Sequence, residues 1–554
     1  MNGDFSARIN GFVRTMTKGY QPTGWGEKII HDPIWGSVVF RPWEVRLIDS
    51  PLFQRLRGIS QVGLAETTYP AARHTRFEHS LGTAAIASRM MERLCADARQ
   101  QGIGPDVIGE KEVCLLRLAA LLHDVGHCPY SHLSEAVYSR MPEFIAARER
   151  VIAQSGQSIS PSPHEVFSYC IITSDQFASF FHKHIGYPYA TTEQEVRVLL
   201  QQAANLVVGA VNYNEKGERC SFLTRVLNGN FDADKLDYTQ RDSYTAGIAL
   251  TYGVERFLLK LVLCKTETDG ITDYRLALTS DALSTVEELI FNRSMLYHYM
   301  YRHQKVLAAE SQMRDAIFAL VAVGKIKHPC DFLYLTNRQL EGLYDSRKRP
   351  FEAYGAKRNK TLKALSEAFS HRALMKRAAE FTPDRFEEYA LNDALTERTL
   401  AALQTADGEE QKRILTAFAD NRQREILFPK GIEEYIRFLK GCSTEEYIDE
   451  RREIVRRIAP VYEEAGKTPD FDAFDLAVSF LPPLESDLSL TIVDKHRAPM
   501  DGDPAIERIR RWTDTLNLSK WRGYLFVSPR VDRALAGKAF EEYLKERCKQ
   551  AENL

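Results

Sequence analysis

"LLHDVGHCPYSH", residues 121–132, crowds three histidines and one aspartate into twelve residues behind an apolar run. The overlapping stretch "EVCLLRLAALLHDV" reads as a buried helix that Gly126 and Pro129 bring to an end. An unpaired carboxylate at the end of such a helix is costly, and a divalent cation offsets that cost. Adjacent helical residues point about 100° apart, so His123 and Asp124 can share an ion only near a helix end, which is where they fall. A bare His-Asp pair carries no weight alone. His31-Asp32, in "IIHDPIWG", is followed by Pro33 and reads as a turn or cap beside a strand.

More ligands must come from elsewhere. "HTRFEHSLGT" supplies His74 and His79 at the start of another helix, and "DADKLDYTQRD" supplies Asp232, Asp234, Asp237 and Asp242. Twelve of the fourteen histidines precede residue 330, which places the chemistry in that part of the chain. A mixed imidazole and carboxylate set suits Mn, Fe, Zn or Ni and leaves positions open for water and phosphate oxygens. A structural zinc site more often uses cysteines. The nine cysteines here are dispersed, with no CxxC pair, and fit reduced thiols in a cytoplasm.

With 554 residues, 44% hydrophobic and 27% charged, the chain affords several domains with sizeable cores. A net charge of −2 supplies no global field toward nucleic acid or anionic membrane. The N-terminal stretch lacks the apolar run of a secretory signal, and no segment is apolar for about 18 residues, so no membrane partner is expected. The expected fold is mainly α. Residues 1–27 form an arm and 28–330 a helical core with small β-hairpins. Residues 331–469 form a charged helical extension, and 470–554 a small α/β appendage. "GSVVF" begins as a strand and leads into a helical pattern, and 59–70 reads as a loop. Val254–Leu278 reads as two strands around "ETDG", followed by one long helix over 284–323. In the appendage, "DLSLTIVDK" and "WRGYLFVSP" read as strands with a helix between them.

The order "HxRFEHS", "HDxGHxPxSH", "HE", "DxDKxDYxxRD" resembles the HD-domain phosphohydrolase superfamily. It is more closely similar to the deoxynucleoside triphosphate triphosphohydrolases, the branch with the SAM-and-HD-domain dNTPase and bacterial dGTPases. The resemblance covers roughly residues 28–305, extending from "DPIWGSVVF" to "NRSMLYHYMYRH". It implies an HD-domain helical core that hydrolyses deoxynucleoside triphosphates to deoxynucleoside and inorganic triphosphate. It implies His79, His123, Asp124 and Asp234 as ligands of a divalent ion (Mn, Fe, Zn, Ni, Co or Mg). His127, His132 and His164 assist attack at the α-phosphate, with Glu165 as the hydrogen-bond partner of His164 and His132 as proton donor. Arg76, Lys235 and Arg293 contact phosphates. By the same resemblance, Tyr238 and Tyr301 would wall the sugar, Asp242 would accept the 3′-OH, Gln61 would lie beside the sugar and Val62 near the base. Asp237 pins a neighbouring basic side chain. A homo-oligomer is the implied assembly. The alternative is an HD-type nuclease or another nucleotide phosphohydrolase or phosphodiesterase on the same metal site. For a nuclease, the basic segment 346–363, "SRKRPFEAYGAKRNKTLK", is the candidate contact for single-stranded nucleic acid. Two departures from the family pattern stand out: "RDSYTAGI" lacks the paired histidines, and Tyr301-Arg302-His303 replaces Tyr-Gln-His. Asp49, Gln54 and Arg57 match activator-contact positions, but the family's other activator-binding basic residues have no counterpart in "LALTSDALS".

Overall fold

The computed structural model describes residues 2–344 apart from 25 and 269, 373–383, 407–413 apart from 409, 430–484, 491–494 and 504–552. The expected mainly helical architecture is observed. The chain divides into two compact units. The first comprises Met1–Tyr301, Leu320–Glu352 and Asp487–Glu507; the second comprises Arg302–Ala319, Ala353–Ser486 and Arg508–Leu554. Among the described residues, no helix is long and apolar enough to cross a membrane.

In the first unit four helices carry the site: Arg76–Gln100, Glu110–Leu122, Pro163–Ile172 and Ala233–Ala246. Each has a readable start. The Thr75 N–H donates to Glu78 at 2.9 Å, the Gly109 N–H to Glu112 at 2.9 Å, and the Ser162 N–H to Glu165 at 2.6 Å. Asp232 caps the last helix by accepting from the Lys235 N–H at 2.7 Å. Leu115, Leu116, Leu118, Ala119, Leu121 and Leu122 are all buried, so the Glu110–Leu122 helix is apolar nearly all round. It ends at Leu122, and His123 and Asp124 emerge as its backbone turns away.

Asp32 behaves as a turn residue. Its Oδ1 accepts from the N–H groups of Ile34 and Trp35 at 2.8 and 2.9 Å, closing the hairpin of strands Lys28–Asp32 and Gly36–Phe40. The second hairpin pairs Leu261–Thr268 with Ile271–Thr279. Its first strand starts later than the sequence suggests. Val254–Leu259 is helical because Val254, Phe257 and Leu258 bury at i, i+3 and i+4. Ile492–Val493 joins this hairpin as a parallel strand, so part of the expected appendage belongs to the first unit.

The long helical pattern after residue 283 is interrupted. Leu283–Leu296 is followed by a π-helical turn at Tyr297–Tyr301, and a new helix runs over Gln304–Ala322. Such a turn inserts an extra residue and rotates the side chains beyond it. Here it turns Tyr301 onto Asp242, whose carboxylate accepts the phenol proton.

The second unit holds a three-stranded antiparallel sheet with Gly523–Val527 between Lys376–Phe381 and Leu476–Ser479. The strand at 376–381 lacks alternation, being charged and half-buried at a sheet edge. Helices Lys430–Gly441, Thr444–Glu464 and Arg533–Glu552 contribute to a core around Phe381, Ile454, Trp521 and Phe540. Buried Arg451 grips buried Asp315 through two bonds of 2.6 and 3.0 Å. The helical pattern of 382–403, beyond its first two residues, and the basic segment 346–363 lie outside the described residues.

Gly82 couples fold to site. A Cβ there would collide with the Asp237 carboxylate and the Arg241 guanidinium of the Ala233–Ala246 helix. Gly82→Ala should therefore destabilise the protein by about 1–3 kcal/mol through overpacking, read as a lower melting temperature. An unchanged or raised melting temperature, as an unhindered helical Gly→Ala would give at about 1 kcal/mol, would show that this contact is not tight.

Candidate metal centre

His79 is fully buried, and its Nδ1 donates to Asp237 Oδ2 at 2.7 Å. Asp237 is held in turn by Arg241 Nε and Nη2, both at 2.8 Å, and by Trp35 Nε1 at 2.5 Å. His123 Nδ1 donates to the Ala120 carbonyl at 2.7 Å. With each Nδ1 committed as a donor, Nε2 is the nitrogen of each ring left for an ion, and both point at one spot. The two Nε2 atoms are 3.3 Å apart. Asp234 Oδ1 lies 2.9 Å from His79 Nε2 and 3.8 Å from His123 Nε2. These three donors fall within 4.8 Å of one another, a spacing that could hold one metal ion. The donor set fits a divalent cation: two neutral imidazoles and a carboxylate, with room for further oxygen ligands.

Asp124 stands between this group and a second one. Its Oδ1 is 3.3 Å from His123 Nε2 and 3.2 Å from His127 Nε2, and its Oδ2 is 3.6 Å from His79 Nε2. Oδ2 also accepts from Arg76 Nη1 at 2.8 Å. Arg76 is buried, with Nε on Ser131 Oγ at 2.9 Å and Nη2 3.4 Å from the Gln61 carbonyl, so all its nitrogens are engaged within the protein.

The second group is His127, His132, His164 and Glu135, whose donor atoms also lie close enough to hold a cation. Glu135 receives His164 Nδ1 at 2.8 Å and His132 Nδ1 at 3.0 Å, and lies 3.4 Å from His127 Nδ1. The His127 and His164 rings stack with centroids 4.0 Å apart. Burial pushes the His164 imidazole down, but the charge and hydrogen bond of Glu135 outweigh it and carry it up to about 9. Burial and the nearby Arg76 and His164 charges push His127 well below the usual range. The pair thus splits into a protonated His164 and a neutral His127 at neutral pH. His132 is the exposed member.

Glu165 is not the partner of His164. Its carboxylate accepts from the Ser162 N–H that opens its own helix and from Asn228 Nδ2 at 3.2 Å. Glu135 takes that role because it stands three residues after His132, one helical turn along, beneath both rings. The i,i+3 spacing of His132 and Glu135 was the available signal.

The loop between His127 and His132, within the second group, is strained. Tyr130 and Ser131 have φ of 58° and 53° without being glycine. Neighbours fix the strain. The Tyr130 N–H donates to Asn337 at 2.8 Å, its hydroxyl donates to Glu341 at 2.6 Å, and Ser131 Oγ donates to the Ser60 carbonyl at 2.6 Å. Gly126 leaves no room for a Cβ against the backbone of the Pro163–Ile172 helix, and that close approach brings His164 to His127.

Around these groups, His74 Nε2 is 2.6 Å from Asp242 Oδ1, and Tyr301 bonds its Oδ2. Arg293 is within hydrogen-bonding reach of Tyr238 and Tyr297. Lys235 Nζ pairs with Asp232 at 2.7 Å and is near enough to Arg293 to feel its repulsion. Gln61 and Val62 are buried, and Gln61 Oε1 has no hydrogen-bond partner among the described residues. Arg57 donates to Gln54 at 2.8 Å and lies over the Phe77 ring, both contacts within the protein.

Residues 76–171, which carry His79, His123, Asp124, His127, His132 and His164, match the HD domain family model. The chain is 29% identical over 290 residues to an uncharacterized protein of Methanocaldococcus jannaschii, covering 52% of this chain and 49% of that one. It is 27% identical over 297 residues to the deoxynucleoside triphosphate triphosphohydrolase SAMHD1 of Bos taurus, covering 52% of this chain and 47% of that protein. It is 27% identical over 298 residues to its Homo sapiens counterpart, covering 52% and 44%. The matched region spans about half the length of these relatives.

Without an ion, burial pushes His79 down, but hydrogen bonds to Asp234 and Asp237 outweigh it and raise it to about 10. The proton is therefore held at pH 7 and lost only as pH rises toward 10. A divalent ion needs the same Nε2 lone pair, so its uptake should release about one proton and its affinity should rise about tenfold per pH unit from 7 to 9. Calorimetry of Mn²⁺ binding in buffers of different ionisation enthalpy measures this, and a buffer-independent enthalpy would contradict it.

Proposed function

We propose that the chain is a metal-dependent phosphohydrolase that cleaves deoxynucleoside triphosphates to deoxynucleoside and inorganic triphosphate. One observation carries the reading: the helix that presents Asp234 also presents Lys235, Tyr238 and Asp242, with Arg293 and Tyr301 completing the same wall. A candidate metal ligand, two cations and two tyrosines are thus grouped together, which supports binding of a phosphate tail and a sugar there. The resemblance to SAMHD1 over half the chain supports the same substrate class.

When bound, the ion polarises a phosphoryl oxygen and lowers the pKa of a water. The protein's own groups supply the rest. Lys235 and Arg293, two cations held near each other, take up the charge of the phosphate tail. His164, protonated and fixed by Glu135, holds a proton at Nε2 for a leaving oxygen, and His132 stands beside it at the exposed side. Neutral His127, between Asp124 and Glu135, can accept a proton from water. Tyr301, fixed by Asp242, packs where a 2′-hydroxyl would sit, which prefers deoxyribose. Asp242 keeps lone pairs free to accept the 3′-OH, since each carboxylate oxygen has two. A homo-oligomer in the cytoplasm completes the reading; the eight free cysteines among the described residues are in keeping with a reducing compartment.

The test is an untargeted product assay with Mn²⁺, Mg²⁺, Co²⁺ or Fe²⁺ and a panel of dNTPs, NTPs and single-stranded DNA. Deoxynucleoside and inorganic triphosphate should form from dNTPs, and ribonucleotides should react at least about tenfold more slowly, the scale of a steric pocket penalty. Mononucleotides released from DNA with dNTPs left intact would assign the site to a nuclease.

A further inference from the structure

A cavity of about 750 Å³ opens in the first unit, lined from one side by Glu165 and Lys235, the chain neighbours of His164 and Asp234. Its volume is in the range of small-molecule sites, roughly 300–1,000 Å³. Its chemistry is not that of an apolar ligand site. Four cations line it, Arg219, Lys235, Arg225 and Arg275, against two acids, Glu165 and Asp273. Hydroxyl and amide groups, including Ser160, Ser221 and Asn228, share the remaining wall with apolar side chains such as Val208, Val211 and Leu276.

The cations differ in their commitments. Lys235 is tied to Asp232, and Arg275 Nε donates to Asp273 at 2.8 Å. Arg219 and Arg225 have no ion-pair partner among the described residues. Arg219 is half-buried with its Nε shielded and unbonded, while its backbone is fixed by bonds of 2.9 Å to Thr272 and Tyr274 in the neighbouring strand. Its position is therefore set by the sheet and not by a charge partner. A shielded N–H without an acceptor is costly, and an anionic ligand that reaches the Arg219 Nε offsets that cost. The chain's net charge of −2 shows that this surplus is local. The two aromatic rings that line the cavity, Phe231 and Phe257, pack on each other with centroids 5.8 Å apart, so no open stacking platform for a base is present there.

We infer that this cavity is a second anion site, beside the metal centre and bounded from it by Lys235, that binds an oligophosphate chain through Arg219, Arg225 and Arg275. A condensed phosphate matches the charged and hydrogen-bonding part of the wall, with several negative charges in a row and acceptor oxygens on every side. The site needs no ion and no particular reaction at the metal centre. The phosphate chain could be free or the tail of a nucleotide, and the two sources are separable.

The experiment is calorimetric titration of the full chain, stripped of metal with EDTA, with inorganic tripolyphosphate. Saturable binding is expected that weakens steeply with added salt. Arg225→Glu, at an exposed position that folding tolerates, should weaken it at least about tenfold, the scale of one charged hydrogen bond. Adding Arg219→Ala should weaken it further, and Asp234→Ala should leave it within about twofold, since that residue lies outside the wall. Competition by dATP for the tripolyphosphate would identify a nucleotide tail as the source, and its failure to compete would identify the inorganic chain. Absence of binding, binding indifferent to Arg225→Glu, or binding abolished by Asp234→Ala would overturn the proposal.

Discussion

The candidate centre depends on one hydrogen bond, from His79 Nδ1 to Asp237. It decides which nitrogen of a buried imidazole carries the proton and so which one can face an ion. Asp237 can do this because Arg241 and Trp35 hold both of its oxygens, and Gly82 lets that assembly lie against the Arg76–Gln100 helix. A carboxylate buried with one imidazole alone would be expensive; joined to a guanidinium and an indole it is satisfied. The Ala120 carbonyl performs the same service for His123 at lower cost, since a helix end leaves its last carbonyls without partners.

Glu135 organises the second half of the site. One carboxylate gathers His164 and His132 and approaches His127, so three imidazoles crowd together without three positive charges. The environment separates their protonation: His164 is raised by Glu135 and His127 is depressed by burial and neighbouring cations. Groups with divergent pKa values side by side provide an acid and a base at one pH. Asp124 lies between the two halves, and its engagement with Arg76 keeps it oriented toward both.

Much of this was legible in the sequence, for physical reasons. The apolar Glu110–Leu122 helix and its His-Asp terminus follow from periodicity and from the cost of a buried carboxylate. The aspartates crowded into "DADKLDYTQRD" mark that stretch as a source of ligands, and the turn role of Asp32 follows from Pro33. What escaped were partnerships across distant segments. Trp35 reaches Asp237 over 202 residues, and no local pattern announces it. The role of Glu135 is masked in the sequence because Glu165 adjoins His164, whereas a helix N-terminus claims the Glu165 carboxylate first. The π-helical turn at Tyr297–Tyr301 sits inside an unbroken helical pattern, and only the contact of Tyr301 with Asp242 gives it a reason. The Lys376–Phe381 strand has no alternation to read.

The central claim is that His79, His123 and Asp234 converge on one divalent ion. Metal content after loading with Mn²⁺ and desalting, compared between the unaltered chain and Asp234→Ala, tests it most directly. About one ion per chain is expected in the first and a loss of at least about tenfold in affinity in the second, the scale of losing one ligand or its support. Equal metal content and affinity in the two proteins would remove Asp234 from the centre and contradict the account.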